Sequence, residues 1–326
     1  MGRIMFNARD AQVLRESLPN FDLNAALPFA ASTTAYLQFY GLDVESLCPA
    51  RAEDIRHSMG AITSAGFRIA CHYYTPPPAQ LSGTVVLVHG YYDHIGLYTH
   101  LLRYCLARNL AVLAFDLPGH GLSSGVPAAI ESFEQYTRVF SDCLQVVHAV
   151  SVDKPVHVLA QSTGGAIVMD YCLNHCASSQ QQIDKIVLLA PLVRPVAWRR
   201  GRLKYAVARR FIKSIKRSFA INSHDTEFLH FLSESDPLQC RLLPVAWVGA
   251  LKNWLRKFAN YEACNRALTV VQGTGDTTVD WRYNLTRIKE KFPHSETVLL
   301  PAARHHLANE SQEIRDALCK ELDRFL

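Results

Sequence analysis

The stretch His157-Val158-Leu159-Ala160-Gln161-Ser162-Thr163-Gly164-Gly165 decides the fold. Val156 to Ala160 is a short apolar run and reads as a buried strand, and Ala166-Ile167-Val168-Met169-Asp170-Tyr171 reads as a helix. A serine on the turn between a buried strand and a helix is a nucleophile elbow, because the tight turn lifts the hydroxyl off the sheet edge. Gly164 and Gly165 let strand and helix backbones approach closely. The helix N-terminus beneath Ser162 favours the negative charge that develops during attack. The motif is usually G-x-S-x-G, and here Ala160 takes the first place. Spacing of this kind arises by chance, so the reading depends on whether the chain also supplies a base and an acid.

Working outward, Phe67 to Tyr74 alternates at period two and reads as a strand. Val85-Val86-Leu87-Val88 is wholly apolar, the pattern of a strand covered on both faces. Leu101 to Leu110 reads as a helix and Val112 to Phe115 as a strand, which opens into the glycine-rich loop Asp116 to Gly125. Phe133 to Val150 carries Phe133, Tyr136, Phe140, Cys143, Leu144 and Val147 at helical spacing. After the serine unit comes a strand, Ile186 to Ala190. The alternation stops near Arg194 and resumes with a strand at Leu268–Val271, a helix near Trp281–Lys291, a strand at Val298–Leu300 and a final helix from Asn309. Such alternation predicts an α/β fold with a mostly parallel central sheet flanked by helices. The interruption reads as an inserted helical cap at the carboxyl edge of the sheet, where such sheets bind ligands. The expected organisation is a helical N-terminal extension over 1–60, a core from 61–193 and 266–326, and a cap over 194–265. Within the extension, Ala11–Leu18 and Ala25–Tyr40 read as helices.

The chain has 326 residues, 49% of them hydrophobic, enough for a full core. A net charge of +5 is modest for this length and does not call for nucleic acid. The nine cysteines are odd in number, contain no CxxC pair and mostly sit in apolar stretches, which points to reduced thiols in the cytoplasm. Met1 to Asp10 has no apolar core of a signal peptide. No run approaches the ~20 apolar residues of a membrane span.

A serine hydroxyl is a weak nucleophile and needs a base oriented by a carboxylate. Along this type of chain the order is serine, acid, histidine. Val270-Val271-Gln272-Gly273-Thr274-Gly275-Asp276 places Asp276 on a turn after a late strand, with Asp280 as the fallback. Pro301-Ala302-Ala303-Arg304-His305-His306 supplies histidine after the last strand. An aspartate near glycines is usually a turn former, and a loop histidine is usually just exposed. Three such residues in the required order, each at a strand end, are a stronger signal than any one. The developing oxyanion needs backbone N–H donors, and Thr163 and Tyr91 are the candidates, with Gly90 permitting the bend. His89 reads as a buried histidine bracing this loop.

These pieces resemble the α/β-hydrolases of the monoacylglycerol lipase and lysophospholipase group, also called serine aminopeptidase-like hydrolases. The resemblance runs from about Phe67 to the C-terminus. It is carried by His89-Gly90 with Asp93-His94, Asp116-x-x-Gly119-His120-Gly121-x-Ser123, the Ser162 elbow, Asp236-Pro237-Leu238, Gly273-x-x-Asp276-x-x-Val279 and His305-x-Leu307-x-Asn309-Glu310. It implies the α/β-hydrolase fold, with Ser162 as nucleophile, Asp276 as acid and His305 as base. It also implies cleavage of acyl esters without metal or organic cofactor. Ala160, the bulky Tyr91, and His306 at a place often acidic depart from the pattern.

Arg194 to Arg217 holds ten cations and no acid. Projected as a helix, Leu203, Val207, Phe211, Ile215 and Phe219 form an apolar stripe opposite Arg202, Arg209, Arg210, Lys213, Lys216 and Arg217. Residues 199–219 are therefore expected to form an amphipathic basic helix. It either packs on the core or makes peripheral contact with an anionic membrane. After Pro244 a second helix aligns Trp247, Leu251, Trp254 and Phe258. Trp247, Leu251 and Trp254 are candidates for lining an acyl-chain pocket, against simple packing within the cap. The expected function is a serine ester hydrolase acting on a lipid-like ester, such as a monoacylglycerol or lysophospholipid, in the cytoplasm. The alternatives are an acyltransferase or a catalytically silent lipid-binding module on the same fold. Nothing in the pattern reads nucleic acid.

Overall fold

A computed structural model describes residues 5–23, 29–151, 153–176 and 183–326, without the side chains of residues 204, 207 and 208. Helices α1 (Ala8–Ser17), α2 (Ala31–Tyr40) and α3 (Val44–Leu47) lead to a hairpin of β1 (Arg56–Ser64) and β2 (Phe67–Thr75). Then follow β3 (Gly83–Val88), α4 (Thr99–Ala107), β4 (Leu110–Phe115), α5 (Phe133–His148), β5 (Val156–Gln161), α6 (Thr163–Asn174) and β6 (Ile186–Leu189). The inserted segment contains α7 (Trp198–Ala208), β7 (Ser214–Lys216), α8 (Thr226–His230), β8 (Leu242–Pro244) and α9 (Val245–Asn260). The chain closes with β9 (Thr269–Gly273), α10 (Trp281–Lys291), β10 (Glu296–Leu300) and α11 (Gln312–Leu322).

The eight-stranded sheet has the order β1-β2-β4-β3-β5-β6-β9-β10. β2 pairs antiparallel with both β1 and β4, and every pair from β4 to β10 is parallel. The wholly apolar strands are explained by two cores. Val86, Val88, Leu113 and Phe115 point to the face covered by α5, α6 and α9. Val85, Leu87, Val112 and Ala114 point to the face covered by α4, α11 and the N-terminal helices. Burial of such side chains stabilises by about 1.5–3 kcal/mol each.

The N-terminal segment is part of that second core. Phe6, Leu14, Tyr36, Leu37, Tyr40 and Leu42 are all buried in it. Arg15 donates to the Gly121 carbonyl and Arg68 to that of Leu18, which fastens the segment at the end of α1. β1 already begins at Arg56, so strand structure enters the region expected to be helical extension. The mixed run Arg56-His57-Ser58-Met59-Gly60 hides a strand that pairs all along its length with β2. The expected second N-terminal helix starts only at Ala31, and its portion Ala25–Pro28 lies outside the described residues.

Two further expectations need correction. The single amphipathic helix over 199–219 does not form: α7 stops at Ala208, and 214–216 pair as a strand with 242–244. Ile215 faces Leu243 in that ladder, and Arg217 N donates to the Arg241 carbonyl just beyond it. Pairing with a distant segment, invisible to helical projection, supplies the hydrogen bonds a longer helix would have made. The side chain of Val207, placed on that projection, lies outside the described residues. Nor are all cysteines reduced, because Cys176 and Cys264 form a disulfide joining the end of α6 to the return segment of the insertion. Their separation of 88 residues, with no spacing motif, left the pair unreadable from sequence.

Close approach of α6 to the sheet has a definite cause. A Cβ on Gly164 would stand 2.4 Å from the Val88 carbonyl oxygen and 2.8 Å from that of His89. Both obstacles are backbone, so neither can swing aside. Gly164→Ala is expected to lower stability by about 1–3 kcal/mol through overpacking. The check is a thermal melt, and an unshifted transition would count against this contact.

Candidate active site

The elbow is a strained turn. Ser162 has φ 52 and ψ −111, outside the usual basins for a residue with a side chain, and it leads directly into α6. The strain persists because both sides are held. Ser162 N donates to the Leu189 carbonyl at 2.8 Å, and Leu192 N donates to the Ser162 carbonyl at 3.0 Å. Ala160 is fully buried in β5 between Val88 and Leu188, a place where a small side chain fits.

The structure brings the three sequence-predicted residues into one hydrogen-bonded line. The Ser162 Oγ to His305 Nε2 distance is 2.9 Å, and His305 Nδ1 to Asp276 Oδ2 is 2.7 Å. Asp276 sits past the end of β9 and His305 past the end of β10, adjacent parallel strands that present their carboxyl ends on the side of β5 that carries Ser162. Asp276 Oδ1 accepts from the N–H groups of Thr278 at 2.8 Å and Val279 at 3.1 Å. Burial alone would raise the Asp276 pKa, but the His305 ring and these two N–H groups outweigh it and hold the carboxyl below its ordinary value. Asp280, the fallback acid, is engaged elsewhere, pairing with Arg194 at 2.6 Å.

Two glutamines missed by sequence reasoning brace the line. Gln161 Nε2 donates to the His305 carbonyl at 2.9 Å, and Gln272 Nε2 donates to Asp276 Oδ2 at 3.1 Å. Each is a buried polar residue following an apolar run, at or next to the carboxyl end of its strand, and that is the signal that could have singled them out. Glu310, quoted above only as part of a motif, is fully buried. It accepts from Arg304 N beside the histidine and from His224 N in the inserted segment.

The oxyanion candidates come from two different segments. Thr163 is the first residue of α6, where backbone N–H groups have no helical acceptor. Gly90 packs so closely that an added Cβ would stand 3.3 Å from Ser162 Cβ. The Gly90 N–H is already taken by Tyr98 Oη at 3.0 Å and Asp93 Oδ2 at 3.2 Å, which leaves Tyr91 as the loop's donor candidate. His89 braces this loop as expected. Its Nδ1 lies 2.7 Å from the Gly90 carbonyl, and its Nε2 accepts from Leu117 N at 2.8 Å. Burial, with His120 nearby, pushes His89 down to about 3, so it stays neutral.

Ser162 and His305 are only 8% and 6% exposed, so reactants reach them through a cavity of about 870 Å³. Trp247 and Leu251 line it, as does Tyr91, whose ring stacks on Trp247 with centroids 3.8 Å apart. Trp254 is not among the lining residues. Its Nε1 donates to buried Asp170 at 3.1 Å and its ring stacks on Phe133, so it anchors α9 to the core instead. A shared helix face could not separate the two roles, because the stripe of α9 crosses from cavity to core. His306 lines the same cavity, 3.3 Å from Asp93 and edge-on to Phe228, and is not part of the hydrogen-bonded line.

Comparison with known proteins agrees with this geometry. The family described as serine aminopeptidase, S33 matches residues 79–312. The chain belongs to that family. It falls in the monoacylglycerol lipase-like group of α/β-hydrolases, among the carboxylic-ester hydrolases. Monoglyceride lipase of Mus musculus is 26% identical over 293 residues, covering 84% of this chain and 90% of that protein. An uncharacterized abhydrolase domain-containing protein of Dictyostelium discoideum is 28% identical over 134 residues, only 14% of its length. A soluble variant of monoglyceride lipase from Saccharomyces cerevisiae, solved with a substrate analog, superposes with TM-score 0.68 at 16% identity, over 82% of this chain and 92% of that one. Monoacylglycerol lipase of Paleococcus ferrophilus gives 0.64 at 19% identity, over 78% and 98%.

The lowered Asp276 pKa has a definite pH consequence. A depressed carboxylate contributes stability that is fully present above its unfolded-state value and is lost as pH falls through the folded one. The stability difference between wild type and Asp276→Asn is therefore expected to shrink as pH drops below the ordinary aspartate range. Chemical denaturation across acid pH checks this. In turnover, Asp276→Asn is expected to lower kcat by about 10⁴.

Proposed function

We propose that this protein is a serine ester hydrolase acting through an acyl-enzyme, on a single-chain lipid ester such as a monoacylglycerol or a lysophospholipid. One observation carries the reading: Ser162, His305 and Asp276 form a hydrogen-bonded line at the wall of a mainly apolar cavity. The names of its relatives support the substrate class.

The chemistry follows from the line of groups. Ser162 Oγ attacks the acyl carbonyl while His305 Nε2 takes its proton. Asp276 holds the His305 Nδ1–H tautomer and stabilises the imidazolium. The N–H groups of Tyr91 and Thr163 hold the oxyanion of the tetrahedral intermediate. Collapse breaks the ester bond, and His305 returns the proton to the leaving alcohol. Water, activated by the same histidine, then releases the fatty acid and restores Ser162. The acyl chain lies against Trp247, Val248 and Leu251.

The inserted cap adds a second element. Leu203 and Phe211 are 72% and 79% exposed, and they stand among the exposed cations Arg199, Arg200, Arg202, Arg209, Arg210 and Lys213. Exposed apolar side chains flanked by many cations suit an anionic lipid interface. This retains the expected peripheral contact of 199–219, now on a helix, a turn and a short strand. No helix among the described residues is long and apolar enough to cross a membrane.

Ser162→Ala should lower kcat on a p-nitrophenyl acyl ester by on the order of 10⁶ and abolish fluorophosphonate labelling. Turnover retained in that variant would remove the serine mechanism. Co-sedimentation should be stronger with phosphatidylserine vesicles than with phosphatidylcholine vesicles and should weaken with added salt. Equal binding to both compositions would sink the interfacial reading.

A further inference from the structure

Arg217, just past β7, also lines the Ser162 cavity. Its guanidinium carbon stands 3.9 Å from the Tyr92 ring centroid and 4.4 Å from that of Phe219. Nη1 donates to Gln239 Oε1 at 2.6 Å and to the Cys240 carbonyl at 3.2 Å. Gln239 is itself oriented, since its Nε2 donates to Asp236 Oδ2 at 3.0 Å. Asp236 is fixed in turn by Tyr40 Oη at 2.7 Å and His94 Nε2 at 2.9 Å. A chain of oriented groups thus runs from α2 through the oxyanion loop to one side of the guanidinium.

The partners of Arg217 are all neutral. Among the described residues no carboxylate forms an ion pair with it. The acid whose field reaches it, Asp93, is spent on His306 at 3.3 Å, Tyr98 Oη at 2.8 Å and Gly90 N at 3.2 Å. Burial, only partly offset by Tyr92 and Asp93, pushes the Arg217 pKa down, the direction for a cation short of counter-charge. A part-buried guanidinium with donors to spare and no carboxylate partner is stabilised by an incoming anion, and its planar fork matches phosphate oxygens. Lys216, beside it, lines the same cavity and adds positive potential.

We infer that Arg217 recognises the head group of the ester, and that the preferred substrate carries a phosphate on its alcohol portion, an acyl glycerophosphate rather than an uncharged monoacylglycerol. This rests on the ester-hydrolase reading above. Arg217 is a specificity residue here, with no part in bond making.

The test compares 1-acylglycerol-3-phosphate with the monoacylglycerol of the same chain length, in neutral detergent micelles, as a ratio of kcat/KM values. Wild type should favour the phosphate ester. Added salt should raise KM for that ester more than for the neutral one. Arg217→Met should lower the ratio by about tenfold or more, mainly through KM for the phosphate ester. Arg217→Lys, which keeps the charge but not the fork, should fall between. Fluorophosphonate labelling of Ser162 reports whether each variant keeps a formed site. Should Arg217→Met fail to label, the decision passes to wild-type preference, its salt dependence and Arg217→Lys. Wild-type preference for the neutral ester, or a ratio unchanged by Arg217→Met, overturns the inference. Wild type that never labels would instead overturn the hydrolase reading beneath it.

Discussion

The turn at Ser162 constrains everything around it. Its backbone lies in a region that side chains rarely adopt, and it stays there because Leu189 at the end of β6 and Leu192 just beyond it hold both its N–H and its carbonyl. Strand β5 pairs with β3 and β6, and the helix that follows presses Gly164 against the end of β3. The serine could not relax without pulling α6 off the sheet. The same parallel order brings the ends of β9 and β10 to the same edge of the sheet, across β6, so the acid and the histidine arrive by topology rather than by local sequence. Strain at the nucleophile and convergence of three strand ends are two aspects of one arrangement.

Buried polar groups then tie the site to the rest of the molecule. Burying a charge without partners is costly, so each buried acid here gathers donors from several segments. Asp236 takes Tyr40 from the N-terminal helices, His94 from the oxyanion loop and Gln239 from the cap. Burial alone would lower the His94 pKa, but Asp236 outweighs it and raises it, while His94 lowers that of Asp236, as suits an ion pair. Glu310 joins the histidine loop to the cap, and Asp170 joins the nucleophile helix to Trp254 and Tyr261. The cap is therefore held at three places by carboxylates whose partners lie far away in sequence. The N-terminal segment, which has no motif of its own, completes both the second core and the Asp236 cluster.

Much of the fold was legible in the chain. The apolar runs within β3 to β6, the helix spacing of α5 and the break in alternation near Arg194 follow from side-chain periodicity alone. Ser162, Asp276 and His305 were legible because each follows a strand and their order matters. What escaped was either amphiphilic or long-range. β1 was hidden by its polar residues. The ladder of β7 with β8 was hidden because a helical projection also fits its sequence, and Trp254 was assigned to the cavity because it shares a face with Trp247. The bracing glutamines looked like ordinary strand ends until their partners were in place.

By itself the sequence determined the class of sheet, the position of the elbow and the order of the three reacting groups, because those depend on local polarity and chain direction. Only the tertiary structure decided which polar groups meet across the fold. It decided that Trp247 faces the cavity while Trp254 faces Asp170, that Cys176 meets Cys264, and that Arg217 stands beside the ester site between two rings. Those choices follow from buried donors, acceptors and charges finding partners wherever packing brings them, and no distance along the chain encodes that.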